Sequence, residues 1–168
     1  MLTSFFGYGD KRNLIVELAQ PDDLSQLAGI HAESFERNWS NGDFQVLIAK
    51  ETNFCFVIRD RKLKKRKILG FALIQQVADE AEVLTIATSA KNRRKGMGRM
   101  LMDAVVRKLQ FDRTESLFLD VDETNFAATS LYRKMGFKQV SERKGYYASG
   151  SDGEAKHSTA LVMRLELR

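Results

Sequence analysis

The period of the hydrophobic pattern changes within one stretch of the chain, at a turn that contains two glycines. Before the turn, Val83–Thr88 is apolar or β-branched, as in a half-buried strand. After the turn, apolar residues recur at the spacing of a helix that buries one face. These helical positions are Met97, Leu101, Ala104, Val105 and Leu109. The pattern therefore predicts a strand, a turn around Gly96 and Gly98, and an amphipathic helix.

The same criteria divide the rest of the chain into strands, helices and loops. Strands are predicted at Leu14–Leu18, Phe54–Arg59, Ile68–Val77, Glu82–Thr88, Ser116–Asp120, Phe137–Glu142 and Ser158–Leu167. Helices are predicted from Pro21 to about Phe35, after the capping residue Ser40, and from Asn125 to Gly136. The polar segments Ala78–Ala81 and Lys144–His157 are predicted to be loops. Short turns make the first strands an antiparallel meander, and the strand–helix–strand unit adds a parallel pair, so the sheet is mixed.

Length and composition favour one globular domain. The chain has 168 residues, of which 43% are hydrophobic, enough for a substantial core, so we predict a single domain over residues 1–168. The one cysteine, Cys55, lies in an apolar run and is predicted to be a buried small residue without a disulfide. Because no apolar run reaches membrane-spanning length and no signal peptide is recognisable, we expect a soluble, cytoplasmic protein with no membrane partner.

The positive charge is concentrated in one predicted turn. Arg59 to Lys67 holds seven basic residues and one acid, a net +6, while the whole chain is +5. The remainder is therefore nearly neutral, unlike a nucleic-acid-binding domain with basic residues on several elements. Two interpretations stay open, a solvated hairpin turn and electrostatic recruitment to an anionic partner such as a ribosome.

The glycine turn is a possible phosphate site. Glycine lets a ligand approach the backbone, and the first turn of a helix presents unpaired N–H groups at its positive dipole end. Arg93, Arg94, Lys95 and Arg99 add charge of the matching sign. Neither the Walker phosphate loop nor the dinucleotide fingerprint is spelled here. By itself the turn is equally compatible with an ordinary strand-to-helix connection.

Two aromatic residues near the end of the first predicted helix, one in it and one after it, have structural and functional interpretations. His31 shares a face with Leu24, Leu27 and Phe35, so it is predicted to be a packed histidine, and no metal-binding cluster accompanies it. Trp39, the only tryptophan, either plugs the gap between two helices or forms an aromatic wall for an acceptor substrate.

Two motifs in order resemble the GNAT superfamily of N-acetyltransferases. The first is Arg93-x-x-Gly96-x-Gly98 after a strand, and the second is Asn125-x-x-Ala128-x-x-Leu131-Tyr132-x-x-x-Gly136-Phe137. Further segments, among them Arg143-x-x-Tyr146-Tyr147, resemble RimI-type ribosomal-protein-alanine acetyltransferases. The resemblance implies an α/β (α+β) fold, a mixed and mostly antiparallel sheet with one central parallel strand pair and helices on both faces.

The resemblance also implies a cosubstrate, acetyl-CoA, and no metal. Backbone groups of Ile86, Ala87 and Thr88 would hold the pantetheine arm and polarise the thioester carbonyl. The residues that would cradle the pyrophosphate are Arg94, Lys95, Gly96, Met97, Gly98 and Arg99. Asn125 would contact the cofactor as well, and Trp39, Tyr146 and Tyr147 would contact the acceptor.

The implied catalytic pair is Asp120 and Tyr132. Tyr132 matches the general acid that protonates the departing thiolate, and Asp120 occupies the position of the general-base glutamate of the family. The alternatives are a core tyrosine and a strand-end acid that caps the following turn. Aspartate is shorter than glutamate, so a bridging water would carry the contact to the amine. An α-amine, with a pKa of about 7.7 to 8.0, asks less of that base than lysine at about 10.4.

The implied reaction is direct attack of an amine on the thioester, with the N-terminal alanine of a small-subunit ribosomal protein as the acceptor. One departure concerns the acceptor side, since Ser158-Thr159 stands where RimI-type enzymes tend to carry acids. A lysine side chain or a small-molecule amine therefore stays open as the acceptor. From another class, a non-catalytic acyl-CoA-binding module also stays open.

Overall fold

The structure is a computed structural model that describes residues 13–63, 66–149 and 156–168, with the side chains of 146–149 and 156–157 left out. Its strands are β1 Leu14–Leu18, β2 Asn53–Asp60, β3 Ile68–Val77, β4 Glu80–Thr88, β5 Ser116–Asp122, β6 Lys138–Ser149 and β7 Lys156–Glu166. Its helices are α1 Leu24–Ala32, α2 Asn41–Ile48, α3 Met97–Phe111 and α4 Phe126–Lys134. Short 3-10 turns at Pro21–Asp23 and Ala90–Asn92 precede α1 and α3.

The strands form one mixed sheet in the order β1-β2-β3-β4-β5-β7-β6. Every neighbouring pair is antiparallel except β4 and β5, which are parallel. The helix α3 connects those two strands, as a parallel pair requires. The predicted mixed sheet with one central parallel pair is confirmed.

The sheet has a hydrophobic core on each face. On one face, α3 and Tyr132 of α4 pack on alternate residues of β4 and β5, among them Val83, Leu119 and Val121. On the other face, α1 and α2 cover Val57, Phe71 and Leu73 through Leu27, Ile30 and Phe44. The apolar helical positions predicted for α3 are all buried, and the helices lie on both faces as expected.

The helix starts follow the sequence, but the first helix is shorter than predicted. Ser40 caps α2 in a capping box with Asp43, and Asn125 caps α4 by accepting a hydrogen bond from the Ala128 N–H at 3.2 Å. The prediction that the first helix reaches Phe35 is wrong, because α1 ends at Ala32. The backbone tightens there, since the N–H groups of Ser34 and Phe35 both donate to the His31 carbonyl at 3.0 Å and regular helical bonding stops.

Two predicted loops are largely strand. The segment from Lys144 to His157 was predicted to be a loop and the preceding strand to end near Glu142, yet β6 continues to Ser149 and β7 begins at Lys156. Pairing with β7 satisfies the backbone of β6 whatever the polarity of its side chains. Similarly, β4 begins at Glu80, which leaves only Ala78 and Asp79 for the turn.

The basic turn is smaller than its sequence indicates, because Arg59 does not belong to it. Arg59 lies in β2, is only 3% exposed, and donates to Glu17 at 2.6 Å and to Asp23 at 2.5 Å. Burial by itself would lower the pKa of Arg59, but the hydrogen bonds and charges of Asp23 and Glu17 outweigh burial and raise that pKa. Arg61, Lys62, Arg66 and Lys67 are exposed; residues 64 and 65 lie outside the described part.

Within the described residues, no helix is long and apolar enough to span a membrane. Nor does any group of three or more His, Cys, Asp or Glu residues stand close enough to bind a metal ion in that part of the chain. Cys55 is buried, and burial raises the pKa of its thiol, so the thiolate is disfavoured.

Candidate active site

The parallel strands β4 and β5 are paired only over their first three residues. The paired residues are Glu80 with Ser116, Ala81 with Leu117 and Glu82 with Phe118. Beyond this point β4 continues to pair with β3 as far as Thr88, and β5 continues to pair with β7 as far as Asp122. The two strands therefore diverge, and the edge of β4 that faces β5 presents backbone groups without a ladder partner. This opening is called the wedge below.

A β-bulge marks the start of the wedge. Val83 pairs with Ile74 and Thr85 with Leu73, so Leu84 is an extra residue in β4. A bulge bends its strand and increases the local twist, which turns Ile86, Ala87 and Thr88 away from β5. The backbone of these three residues, predicted to hold the pantetheine arm, lines the open side of the wedge.

The turn after β4 places the N-terminus of α3, the positive end of its dipole, near the open end of the wedge. Arg94 and Gly96 adopt left-handed backbone angles, with φ of 63° and 79°. Gly96 caps α3 without a side-chain hydrogen bond, and the first bond of this turn runs from the Met100 N–H to the Gly96 carbonyl at 3.1 Å. The N–H groups of Met97, Gly98 and Arg99 therefore head the helix, where an anion is stabilised.

The basic side chains of this turn have different contacts. Arg94 is exposed. Lys95 donates to the Lys91 carbonyl at 2.8 Å, and Arg99 pairs with Asp103 at 2.8 Å along α3. Arg93, which was expected to add positive charge to the possible phosphate site, instead donates to the carbonyl of Glu33 at 3.0 Å and so ties the turn to the end of α1.

The helix α4 closes one side of the wedge and carries Tyr132. A carbon of Leu131 lies 3.6 Å from the position that a Cβ would take on Gly98, so α4 contacts the start of α3. Tyr132 is 6% exposed, its ring is 5.6 Å from that of Phe137, and burial raises the pKa of its phenol to about 12. Its hydroxyl has no hydrogen-bond partner among the described residues and is protonated at neutral pH.

Asp120 lies on the opposite face of β5 from Tyr132. Its neighbours Leu119 and Val121 point into the core under α3 and α4, and side chains alternate along a strand. Asp120 forms an ion pair with Arg143, Nη1 to Oδ2 at 3.0 Å, and its side chain is 20% exposed. The interpretation of Asp120 as a turn cap is wrong, because that position belongs to Asp122.

Asp122 has a structural role at the end of β5. Its carboxylate accepts hydrogen bonds from the Thr124 N–H at 2.8 Å, the Thr124 hydroxyl at 2.7 Å and the Ser158 hydroxyl at 2.8 Å. Burial opposes ionisation, but these hydrogen bonds prevail and lower the pKa of Asp122. The network fastens the turn before Asn125 to β7, which holds α4 in place.

The aromatic residues near α1 pack together. Trp39 is half-buried, stacks on His31 with ring centroids 4.8 Å apart, and meets Phe44 edge-on at 5.5 Å. This arrangement matches the gap-filling interpretation, while the acceptor-wall interpretation stays a prediction. The predicted packing of His31 is confirmed, and burial lowers its pKa. Tyr146 and Tyr147 lie in β6, but their side chains are outside the described part.

Sequence reasoning missed two residues beside the wedge. Gly70 of β3 faces Ala87 and Thr88 so closely that a Cβ would lie 2.9 Å from the Ala87 carbonyl oxygen. A single glycine inside a predicted strand was the available signal. Arg143 was noted in the resemblance without a role, and only the tertiary contact with Asp120 reveals one.

Comparison with known proteins identifies the family of this chain. Residues 24–137 match the family model described as the acetyltransferase (GNAT) family. The chain is 33% identical over 101 residues to a [ribosomal protein bS18]-alanine N-acetyltransferase of Salmonella typhimurium, an alignment that covers 60% of this chain and 66% of that protein. It is 30% identical to an N-alpha-acetyltransferase of Saccharolobus solfataricus over 84% of this chain and 90% of that protein.

Solved structures give the same result for the fold. The crystal structure of the ribosomal-protein-S18-alanine N-acetyltransferase from Escherichia coli aligns with a TM-score of 0.80 and 27% identity, covering 92% of this chain and 94% of the other. Arabidopsis thaliana NAA60 in complex with acetyl-CoA shares the fold, with a TM-score of 0.78, 19% identity and coverage of 91% and 98%. The chain belongs to the GNAT family of acetyltransferases.

Proposed function

We propose that this protein transfers the acetyl group of acetyl-CoA to the N-terminal amine of a protein, namely the N-terminal alanine of a small-subunit ribosomal protein. The observation that carries the proposal is the wedge between β4 and β5, with Tyr132 on one face of the sheet and Asp120 on the other. A thioester in the wedge would lie between a proton donor and a proton acceptor. Residues 1–168 act as one acetyltransferase domain in this proposal.

The chain's residues fit the cosubstrate. A pantetheine arm needs backbone hydrogen bonds, and the open edge of β4 at Ile86, Ala87 and Thr88 supplies them. A pyrophosphate needs donors and positive charge, which the N–H groups of Met97, Gly98 and Arg99 supply together with Arg94, Lys95 and the conformation of Gly96. Asn125 stands at the start of α4, at the edge of this surface. The proposed cosubstrate supplies an activated acetyl group and requires no metal.

The catalytic roles follow from the two faces. Asp120 accepts a proton from the acceptor amine, directly or through a water, as the nitrogen bonds to the acetyl carbon. The bond from that carbon to sulfur then breaks, and the Tyr132 hydroxyl gives its proton to the leaving thiolate. Backbone N–H groups of β4 stabilise the charge that develops on the carbonyl oxygen. Cys55 takes no part, because it is buried and its thiolate is disfavoured.

An α-amine is the acceptor that this site suits best. About a tenth of an ordinary α-amine is neutral at pH 7, compared with less than a thousandth of a lysine amine. The carboxylate of Asp120, although its side chain is shorter than that of glutamate, is therefore an adequate base for an α-amine. The similar proteins named for N-terminal acetylation support the same choice. We assign Trp39, Tyr146 and Tyr147 to the acceptor side.

The test is release of free CoA thiol from acetyl-CoA, with mass detection of the product. Three acceptors are compared: an alanine-starting ribosomal peptide, the same peptide blocked at its N-terminus but containing lysine, and a polyamine. We expect acetylation of the free alanine terminus only. Activity confined to the other acceptors would overturn the substrate, and tight CoA binding without turnover would support a non-catalytic acyl-CoA-binding module.

The exposed part of the basic turn extends this proposal to a ribosomal partner. Arg61, Lys62, Arg66 and Lys67 are exposed, whereas Arg59 is paired in the core. Contact with ribosomal RNA would occur in the cytoplasm and would weaken with salt. Neutralising Lys62, Lys64, Lys65 and Arg66 is expected to lower ribosome binding and flatten its salt dependence. Neutralising four cations elsewhere, at Lys50, Arg113, Lys134 and Lys138, is the matched control.

A further inference from the structure

Among the described residues, Arg143 is the charged residue whose side chain contacts Asp120. Its Nη1 lies 3.0 Å from Asp120 Oδ2, and the arginine side chain is 54% exposed. The sheet brings the two together across β7, since Asp122 and Arg143 both pair with Ala160, and Asp120 is two residues before Asp122 on the same face. The guanidinium therefore lies on the same face of the sheet as Asp120, where the acceptor amine is proposed to bind.

A bulge in β6 fixes the position of Arg143. After Arg143 pairs with Ala160, the next paired residue of β6 is Tyr147, opposite Ser158. Residues 144–146 thus oppose one residue of β7, and Gly145 takes a left-handed φ of 69°. Bulges next to active sites re-aim side chains, and this one ends regular pairing immediately after Arg143.

The other charged groups on this face have partners or lie farther along it. The Asp122 carboxylate accepts hydrogen bonds from Thr124 and Ser158. Arg164 of β7 forms an ion pair with Glu166 at 3.1 Å. Glu82 of β4 is exposed and stands opposite Phe118, two residues before Asp120. His31 on α1 is buried against Trp39. Among the described residues, an acceptor amine that reaches Asp120 therefore meets the carboxylate of Asp120 itself and the guanidinium of Arg143.

We propose that Arg143 is a positioning residue that aligns Asp120 and selects a weakly basic acceptor amine. The inference rests on the proposed function, because it assigns Asp120 to the acceptor side. By holding Oδ2, Arg143 leaves the other carboxylate oxygen of Asp120, Oδ1, to accept the proton of the amine. Its fixed positive charge disfavours the protonated amine and favours the neutral nucleophile. The positive charge therefore disfavours lysine, whose amine has an ordinary pKa of about 10.4 and is almost fully protonated, more than it disfavours an α-amine with a pKa of about 7.7 to 8.0.

The test compares Arg143→Gln, Arg143→Lys and the control Lys144→Gln with the wild type. Lys144 is the next residue, lies in the same bulge and is 83% exposed, so its change removes the same charge without touching Asp120. Kinetics are measured with the alanine-starting peptide and with the blocked lysine peptide. Melting temperatures and the KM for acetyl-CoA show whether each variant is folded and binds its cosubstrate.

We expect Arg143→Gln to lower kcat on the alanine peptide about tenfold or more, with an unchanged KM for acetyl-CoA. The rise of kcat with pH should move to higher pH, and the preference for the α-amine over lysine should fall. Arg143→Lys should restore most of the rate, and Lys144→Gln should match the wild type.

The outcomes separate this inference from the proposed function. A folded Arg143→Gln variant with wild-type kcat, pH profile and amine preference would overturn the role of Arg143 alone. Equal loss of activity on both amines, with no change in the pH profile, would also overturn it in favour of a structural role. A wild-type protein that acetylates no amine would remove the proposed function and this inference together.

Discussion

Glu82 and Phe118 are the last residues at which the two parallel strands pair, and the proposed active site begins immediately beyond them. From that point, β4 carries an extra residue at Leu84, while β5 keeps a regular register with β7. The separation leaves backbone donors exposed on β4 without a loss of sheet stability elsewhere, because both strands keep their antiparallel neighbours. The proposed site thus lies between two strands that are otherwise continuous.

Replacement of Tyr132 by phenylalanine tests the general acid. The variant keeps the ring that packs near Phe137 but loses the proton donor. We expect kcat to fall about 100-fold, within the range typical of general acid catalysis, with CoA affinity unchanged. Thiol release and calorimetric CoA binding measure the two quantities. Turnover equal to that of the wild type would remove Tyr132 from the mechanism.

The same pair of proteins should differ in alkaline stability. Burial raises the pKa of Tyr132 to about 12, above the ordinary value of 10. The unfolded chain therefore releases this proton at lower pH than the folded protein, and the stabilisation is present below pH 10 and lost as the pH rises towards 12. A pKa difference of about two units corresponds to about 3 kcal/mol of unfolding free energy. Urea unfolding at pH 9 and pH 11 should show a steeper decline for the wild type than for Tyr132→Phe.

Gly70→Ala should damage both stability and cosubstrate binding. Its Cβ would lie 2.9 Å from the Ala87 oxygen and 3.0 Å from Thr88 Cγ2, so β4 must shift where the pantetheine arm is proposed to bind. We expect a loss of about 1 to 3 kcal/mol in unfolding free energy and a raised KM for acetyl-CoA. Gly29→Ala is the control, since its Cβ meets nothing within 4 Å. Equal stability of the two variants would contradict this explanation.

The buried pair of Asp23 and Arg59 should be costly to break. Both side chains are 4% exposed, and Asp23→Asn would leave the guanidinium with only the half-exposed Glu17 as a charged partner. We expect a loss of about 3 kcal/mol in unfolding free energy, at the lower end for broken buried pairs. The surface pair of Arg164 and Glu166 offers a contrast, because Glu166→Gln should cost about 0 to 0.5 kcal/mol. Denaturant unfolding of both variants measures the difference.

Acid should loosen the aromatic cluster around Trp39. Burial lowers the pKa of His31. The backbone N–H of Trp39 donates to His31 Nδ1 at 3.3 Å, and this hydrogen bond requires Nδ1 to be unprotonated. The unfolded chain takes up this proton first, so stability falls as the pH drops below about 6.5. Fluorescence of Trp39, the only tryptophan, reports the change. In His31→Gln, fluorescence and stability should be less sensitive to pH between 7 and 5.

Local sequence determined most elements of this fold. The change of period around Gly96, the cap at Ser40 with Asp43 and the cap at Asn125 depend on residues within one turn of each other, so propensity and spacing are sufficient. The GNAT motifs lie on this strand-turn-helix unit and on α4. Local sequence is therefore sufficient to locate the residues of both motifs, without knowledge of contacts between elements.

The tertiary structure decided what depends on partners distant in the chain. Arg59 leaves the basic turn because Asp23 pairs with it from 36 residues away, and β6 extends because β7 supplies its hydrogen bonds. The bulge at Leu84, the crowding at Gly70 and the contact of Arg143 with Asp120 likewise depend on strand register. Register is set by the summed packing of both sheet faces, which no local stretch of sequence specifies.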